Sequence, residues 1–293
     1  ISFMKVKILI PIYNDWNSVK RLVDNIDKVI NDIDCDFSII IVNDASTQKK
    51  PENCFNFKNL KSIKIINMLE NRGHGRCNAA GLKYIYENED FDYVLPMDGD
   101  GEDRREEIIQ FVEKIKTDPD IPVVGERIKR SESNLFKFCY VVHKILTFIF
   151  TGKSIKFGHF SCIPKSIVKE MVNEKATWNC YSASLVKITK EKRNSIPSIR
   201  GKRYFDLSKM SFYNLIIHSF SIISVFKYNV LIRSILFLII YLFLIYPKLS
   251  FITFLPFIFI TIFTSLIFIL SKRENLDEYN NCLENVGNIE VVK

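Results

Sequence analysis

The apolar run Tyr93-Val94-Leu95-Pro96-Met97 leads directly into Asp98-Gly99-Asp100-Gly101-Glu102-Asp103, which places four carboxylates within six residues. A short apolar run of this kind reads as a buried strand, so the carboxylates gather at a strand end. Like charges this close disfavour one another unless a cation lies among them. Mg²⁺ and Mn²⁺ prefer oxygen ligands and bridge phosphates, so a divalent site is one reading. A solvated acidic turn ahead of a helix near Arg104 is the other. The flanking sequence bears on the choice.

Upstream, strand-like and helix-like segments alternate. Lys7-Ile8-Leu9-Ile10-Pro11-Ile12-Tyr13 reads as a first strand, stopped by Asn14-Asp15. Val19, Leu22, Val23, Ile26, Val29, Ile30 and Ile33 then recur with the period of an amphipathic helix. Phe37 to Val42 is a second strand, ending at Asn43-Asp44-Ala45-Ser46, and Lys61 to Met68 a third. Asn71 to Gly81 is a loop running into a helix through Tyr86. Beyond the acidic stretch, Ile108, Ile109, Val112 and Ile115 mark a helix over 106–116, and Ile121 to Val124 a further strand.

This alternation predicts an α/β fold with a mostly parallel, Rossmann-like sheet covered on both faces. Ligands in such sheets bind beyond the carboxyl ends of the strands. Tyr13-Asn14-Asp15, Asn43-Asp44, Asn71-Arg72-Gly73 and Asp98 to Asp103 are therefore expected in one crevice, which favours a nucleotide and its metal over a bare turn. Gly73-His74-Gly75-Arg76-Cys77-Asn78 competes as a dinucleotide fingerprint. It lacks the third glycine and follows the third strand instead of the first, and hydride transfer has no use for the carboxylates.

Lys and Arg outnumber Asp and Glu by 41 to 33, a net charge of +8. That balance suits nucleic acid, anionic lipid or phosphorylated substrates. No aromatic-basic interleaving suggests a nucleic-acid platform, and the long apolar region near the C-terminus favours lipid. The seven cysteines form no CxxC pair, so neither a zinc knuckle nor a disulfide framework is expected. No apolar signal core lies near the start of this sequence.

Ile10-Pro11-Ile12-Tyr13-Asn14, Val42-Asn43-Asp44-Ala45-Ser46, Asn71-Arg72-Gly73 with Asn78-Ala79-Ala80-Gly81, and Met97 to Asp103 together resemble family 2 glycosyltransferases of GT-A fold. The likeness is to the dolichyl-phosphate mannose synthase-like, polyprenyl-phosphate sugar transferases, in motif order over about residues 5 to 130. It implies a nucleotide diphospho-sugar donor, a polyprenyl-phosphate (undecaprenyl or dolichyl) acceptor and inversion. It implies that Pro11, Tyr13 and Asp44 line the nucleoside pocket, with Asp15 where Glu is usual and Arg72 and Gly73 in the donor loop. Asp98 and Asp100 match the DxD pair that holds Mg²⁺ or Mn²⁺ on the donor diphosphate. Glu102 stands where a Gln often helps, and an added negative charge suits a hard cation. Asp100 and Arg127 take the catalytic roles. Arg104-Arg105 replaces paired prolines and Asn43 a frequent Asp, which leaves donor preference open.

Glu126-Arg127-Ile128-Lys129-Arg130 reads either as a phosphate-binding segment or as a solvated basic turn, and the resemblance favours phosphate at Arg127. Phe157 to Ile163 resembles the acceptor-side strand. His159 there is a candidate general base, although a lipid phosphate is already anionic and needs positioning more than deprotonation. His74 reads as a loop residue. Arg130, Lys202 and Arg203 are candidate contacts for an acceptor phosphate.

Leu207, Met210, Phe212, Leu215, Ile216, Phe220, Ile223 and Phe226 mark either an interfacial helix on an anionic leaflet or a core helix. Ser234 to Leu270 is almost wholly apolar apart from Pro247-Lys248. Leu249 to Leu270 is long enough to span a bilayer, and the preceding stretch reaches that length from Tyr228, with Arg233 snorkelling. Lys227, Arg233, Lys272 and Arg273 flank the open side of this hairpin, predicting a multi-pass protein of the cytoplasmic membrane with its catalytic domain on the cytoplasmic face. The expected organisation is a catalytic domain over 1–205, an interfacial helix over 206–228, a transmembrane hairpin over 229–271 and a cytoplasmic polar tail over 272–293. The hairpin also offers a surface for a homo-oligomer, although no small-xxx-small pattern marks a face. The alternatives are transfer to another membrane acceptor, a glycolipid or polysaccharide, which needs a true base, and a non-catalytic nucleotide-binding scaffold.

Overall fold

The structure, a computed structural model, describes residues 3–52, 55–129, 134–190, 192–205 and 212–292. In chain order its elements begin β1 (Lys5–Ile12), α1 (Trp16–Val29), β2 (Asp36–Asn43), β3 (Ser62–Met68), α2 (His74–Asn88) and β4 (Tyr93–Pro96). There follow α3 (Glu107–Thr117), β5 (Val123–Lys129), α4 (Asn134–Thr151), β6 (Ser161–Pro164), α5 (Lys165–Val172), α6 (Ala176–Asn179) and α7 (Tyr181–Thr189). The chain continues through β7 (Asn194–Ile199), α8 (Phe212–Ser224), α9 (Lys227–Ile245), α10 (Phe251–Ser271), α11 (Leu276–Asn280) and β8 (Val286–Val292).

Two compact units result, one from the described residues of 1–131, 156–208 and 275–293, the other from those of 132–155 and 209–274. The first holds one sheet of eight strands in the order β7-β5-β6-β4-β1-β2-β3-β8. The pairs β1–β2, β1–β4, β2–β3 and β5–β7 are parallel. Strand β6 runs antiparallel to β4 and β5, and β8 antiparallel to β3. Ile12 pairs with Asn43, and Asn43 with Asn67, so β1, β2 and β3 finish level.

The buried strands carry unbroken Ile, Val and Leu because both faces are covered. On one face Ile8, Ile10, Ile39, Ile41 and Leu95 pack with Val19, Leu22 and Ile26 of α1 and with Phe111 and Val112 of α3. On the other, α2 lies so close that a Cβ at Gly81 would meet Leu9 Cδ1 at 2.4 Å. Only glycine permits that approach.

Residues 275–292, within the expected polar tail, belong to the sheet unit. Strand β8 pairs along β3 from Ile63–Val292 to Met68–Val286, which covers an edge that would otherwise leave peptide groups unpaired. Tyr279 is fully buried and stacks on Trp178 with ring centroids 5.5 Å apart. Within β8 the half-buried Glu290 pairs with Lys50 and accepts from Asn67 at 2.9 Å, while Ile289 and Val291 are exposed.

In the second unit, Ile223, Val230 and Ile267 form a small core joined by Leu146, Phe150, Phe220 and Phe263. Helix α4, which falls within the residues expected to form the catalytic domain, belongs here. Helix α8 takes up the described part of the expected interfacial segment; residues 206–211 lie outside the described residues. Arg233 donates from Nη1 to Ile149 O at 2.9 Å. It thus caps the end of α4, where a cation is favoured. Helices α9 and α10 are long and apolar enough to cross a membrane. Their side chains are mostly exposed, Phe243, Leu244, Phe251 and Ile252 among them, unlike those of a core helix.

Candidate active site

The level ends of β1, β2 and β3 bring the polar clusters together as expected. Asn14, at φ 52°, donates from its N–H to Ser46 Oγ at 2.8 Å, and its Oδ1 accepts from Gln48 N at 2.9 Å. The loop after β1 is thereby tied to the loop after β2. Asp44 is buried, and its two carboxylate oxygens each accept a backbone N–H, from Arg72 and from Gly73, both at 2.9 Å. Burial nonetheless holds the Asp44 carboxyl above its ordinary pKa. Pro11 is buried beneath this corner and Tyr13 is exposed above it.

Beside Asp44 lies a cleft of about 540 Å³ lined in part by Arg72, Arg76, Trp178, Glu278 and Asn281. That volume suits a small ligand. Arg76 lies over the Trp178 ring at 5.1 Å and pairs with Glu278 at 3.2 Å, while Trp178 Nε1 donates to Glu278 at 2.9 Å. One wall of the cleft thus comes from residues beyond 274, where no site was expected.

The acidic stretch folds back on itself. Asp103, buried, accepts from Asp98 N at 2.8 Å, and Asp100 accepts from Glu102 N at 2.9 Å. Gly101, at φ 86°, lets the ring of Tyr204 pack where a Cβ would stand 2.6 Å from it. The segment from Arg200 to Tyr204 straps over this turn. Gly201 N donates to Glu102 O at 2.7 Å, and Tyr204 N to Asp100 O at 2.9 Å.

The strap divides the expected metal set of Asp98, Asp100 and Glu102. Arg203 donates to Asp100 at 2.6 Å and to Asp15 at 3.3 Å, and Arg200 pairs with Glu102. Guanidinium ions thus already neutralise two of the three carboxylates. Arg203, expected near an acceptor phosphate, serves the acidic turn because its planar fork matches carboxylates from two loops. Lys202 is exposed, and Arg130 lies outside the described residues.

Asp98 has different company. Its Oδ1 is 3.2 Å from His74 Nε2, yet it is buried and accepts no hydrogen bond of good geometry. The ligand atoms of His74, Asp98 and His159 lie within 4.8 Å of one another. Burial raises the Asp98 carboxyl, but His74 beside it, with His159 and Arg200, holds it well below its usual range. Burial lowers His74, yet Asp98 first and then Asp100 and Asp103 outweigh it and raise its pKa. Burial and then the Asp98 charge push Asp100 up to about 6 despite Arg203, and Asp103 up to about 8. A buried carboxylate oxygen short of donors beside two imidazoles fits a divalent cation, so the residues present suit such an ion at Asp98.

Arg127 is half-buried, and its Nη2 passes 3.0 Å from where a Cβ on Gly158 would sit. It is also near enough to lower the Asp103 pKa. The His74–His159 grouping and the Arg200 strap were not expected from the sequence. The one local signal was a histidine directly after the Gly73 that ends the β3 loop.

The family model described as glycosyl transferase family 2 matches residues 7–171. An undecaprenyl-phosphate 4-deoxy-4-formamido-L-arabinose transferase of Erwinia tasmaniensis is 27% identical over 223 residues, 73% of this chain and 66% of that protein. Its counterpart in Klebsiella pneumoniae is 25% identical over 221 residues, 72% of this chain and 64% of that protein. The chain thus spans just under two thirds of the length of these relatives.

Among solved structures, glucosyl-3-phosphoglycerate synthase from Mycobacterium tuberculosis, in complex with Mn²⁺, UDP and glucosyl-3-phosphoglycerate, superposes with a TM-score of 0.57 at 11% identity. The match covers 77% of this chain and 80% of that one. Mannosyl-3-phosphoglycerate synthase from Rubrobacter xylanophilus gives 0.55 at 13% identity, over 76% and 72%. These likenesses concern the fold.

Proposed function

Since the chain belongs to glycosyl transferase family 2 and folds as a GT-A domain, we propose that it moves a sugar from a nucleotide diphospho-sugar to polyprenyl phosphate at a membrane. The observation that carries this reading is the meeting of Asp44, its adjoining cleft and the Asp98 turn at the carboxyl ends of β1, β2 and β4. The undecaprenyl-phosphate transferases among its relatives and the apolar pair α9–α10 support a lipid acceptor.

In this reading Pro11, Tyr13 and Asp44 hold the nucleoside, and the backbone at Arg72 and Gly73 fixes Asp44 for the task. Asp15 and Asp100, tied by Arg203, shape the wall beneath the sugar. Asp98 would hold a divalent cation, Mg²⁺ or Mn²⁺, which when bound would supply positive charge against the diphosphate. Arg127 supplies further positive charge toward the diphosphate, and Lys202 toward the acceptor phosphate. The lipid phosphate, already anionic at neutral pH, attacks the anomeric carbon from the face opposite the diphosphate, so that configuration inverts and no general base is needed. Lys227, Lys272 and Arg273 stand at the same ends of α9 and α10, which supports a two-pass hairpin with the catalytic unit on the cytoplasmic side.

The test incubates the detergent-solubilised full chain with a panel of radiolabelled nucleotide sugars, Mn²⁺ or Mg²⁺ and undecaprenyl phosphate. Label in a lipid that mild acid releases is the expected result, lost in Asp98→Ala. No transfer from any donor, or transfer that survives Asp98→Ala, overturns the reading. Label in an acid-stable product points to a different membrane acceptor.

A further inference from the structure

We infer that Arg76, laid on the Trp178 ring and pinned there by Glu278, is the surface on which the base of a nucleoside diphosphate stacks, so that α11 takes part in donor binding. The inference rests on the transferase reading for the identity of that ligand. Trp178 and Glu278 lie beyond residue 171, outside the span that the family model matches.

Three separate elements build the platform. Arg76 stands in the first turn of α2, Trp178 in α6 and Glu278 in α11. The Arg76 guanidinium carbon lies 5.1 Å from the centre of the Trp178 ring, and its Nη2 lies 3.2 Å from Glu278 Oε2. The same oxygen accepts from Trp178 Nε1 at 2.9 Å. Glu278 thus ties the cation and the indole into one unit. The Trp178 hydrogen bond, then the charges of Arg76 and Arg72, lower the Glu278 pKa, which keeps the carboxylate ionised at neutral pH. Tyr279 supports the indole in turn, its ring plane 20° from that of Trp178. Trp178 is only 4% exposed, whereas the Arg76 side chain keeps 24%. Where both line the cleft, the guanidinium is therefore the more open of the two.

Fastening α11 to the sheet does not require this arrangement. The Trp178–Tyr279 stack and the β8–β3 pairing already secure it, and neither involves Arg76. A guanidinium plane is delocalised and weakly hydrated, so it stacks on bases as it does on aromatic rings. Held on an indole, it has lost rotamer freedom in advance, which lowers the ordering cost when a base stacks upon it.

Strand order puts the platform at the base end of the ligand. Asp98 follows β4 and Asp44 follows β2, and β1 pairs with both strands. Two strand spacings amount to about 10 Å, the reach of an extended nucleoside diphosphate. A diphosphate at Asp98 therefore brings its base to Asp44, beside the cleft that Asp44 shares with Arg76. Past β2 the sheet continues only through β3 and β8, so the chain that closes this side is the one running from α11 into β8. Every base has a π-face, which makes stacking indifferent to base identity. The platform thus sets affinity and leaves the choice of base to other residues.

The experiment measures the binding of UDP, GDP and inorganic pyrophosphate to the full chain in detergent with Mn²⁺, by calorimetry and without sugar donor or acceptor. Arg76→Ala should raise the Kd of the nucleoside diphosphate that binds by at least tenfold, and Glu278→Ala by at least threefold. The Kd of pyrophosphate, which has no base, should change less than twofold in both. Glu278→Gln, which still accepts from both partners, should stay within twofold of the wild type for every ligand. In the wild type, 5-azido-UDP or 8-azido-GDP should photolabel residues 72–80 or 275–285, and the parent nucleotide should displace the label. Equal weakening of nucleotide and pyrophosphate, nucleotide affinity unchanged in both alanine variants, label confined to other residues, or no nucleotide binding at all overturns the inference. A chain that transfers sugar while Arg76→Ala binds nucleotide like the wild type refutes this inference alone. One whose base stacks here but which transfers nothing refutes the transferase reading alone.

Discussion

Arg203 reaches two carboxylates that belong to different loops, Asp100 after β4 and Asp15 after β1, and all three side chains are mostly buried. Arg203→Ala strands both, and breaking a buried pair in this way costs about 3 kcal/mol. Thermal unfolding of the detergent-solubilised variant should show that loss, with partial recovery on adding millimolar Mn²⁺ as a cation replaces the guanidinium. Asp44→Asn keeps the size of the side chain but sets an amide group against one of the N–H groups of Arg72 and Gly73. Calorimetry with nucleoside diphosphates should find affinity reduced by at least tenfold. At this scale the sequence is legible where function sits in one short stretch. Asp44 and Asp98 stand out because polar residues end apolar runs. The histidines do not, because residues 74, 98 and 159 meet only after the sheet has set their order. Arg203 reads as a contact for an acceptor phosphate until Tyr204 is seen packed on Gly101.

Among the elements, the strand runs from β1 to β4 are readable because burial on both faces demands Ile, Val and Leu. Strand β5 runs on through residues 126–129, read from the sequence as lying beyond the strand. Strands β7 and β8 are not readable, and β6 is marked only by the resemblance of Phe157 to Ile163 to an acceptor-side strand. Ser161–Pro164 is four residues long, Asn194–Ile199 contains Pro197, and Val286–Val292 is half exposed along an edge. Their strand character comes from partners. Helix α2 ends in Glu89, whose buried carboxylate binds Lys7 of β1 at 2.9 Å and Lys64 of β3 at 2.5 Å. Burial raises its pKa, but the two lysines outweigh that and lower it. A depressed carboxylate contributes stability that is present above its unfolded pKa, about 4.3, and lost as pH falls through the folded value. Glu89→Gln should therefore flatten the fall of melting temperature below about pH 4.3. Helix α11 offers the opposite case. The Tyr279 hydroxyl is buried without a hydrogen-bond partner among the described residues, so Tyr279→Phe should be neutral or stabilising by about 1 kcal/mol. Tyr279→Ala should cost about 3 kcal/mol through the lost stack on Trp178. Chemical denaturation of both variants distinguishes the two effects.

For the whole molecule, the two units follow other boundaries than those the sequence suggests. The catalytic sheet recruits residues on both sides of the apolar pair, and the membrane unit recruits α4 from the middle of the chain. Composition marks α9 and α10 at once because water tolerates no such surface, whereas α4 and β8 carry no compositional signature of where they dock. If α9 and α10 form a two-pass hairpin, a cysteine at Lys248 should react with an impermeant maleimide added outside intact cells, and one at Arg273 only after lysis. The reverse pattern would invert the topology.

The β3–β8 pairing sets an order for biogenesis. A ribosome makes β3 long before α9 and α10, and β8 only after them. Until α9, α10 and the residues after them have been made, the nascent sheet carries an open β3 edge and lacks a wall of the Asp44 cleft. Completion of the enzyme is thus deferred until its membrane segment exists. A chain stalled before α9 therefore lacks both the strand that closes β3 and one wall of the Asp44 cleft.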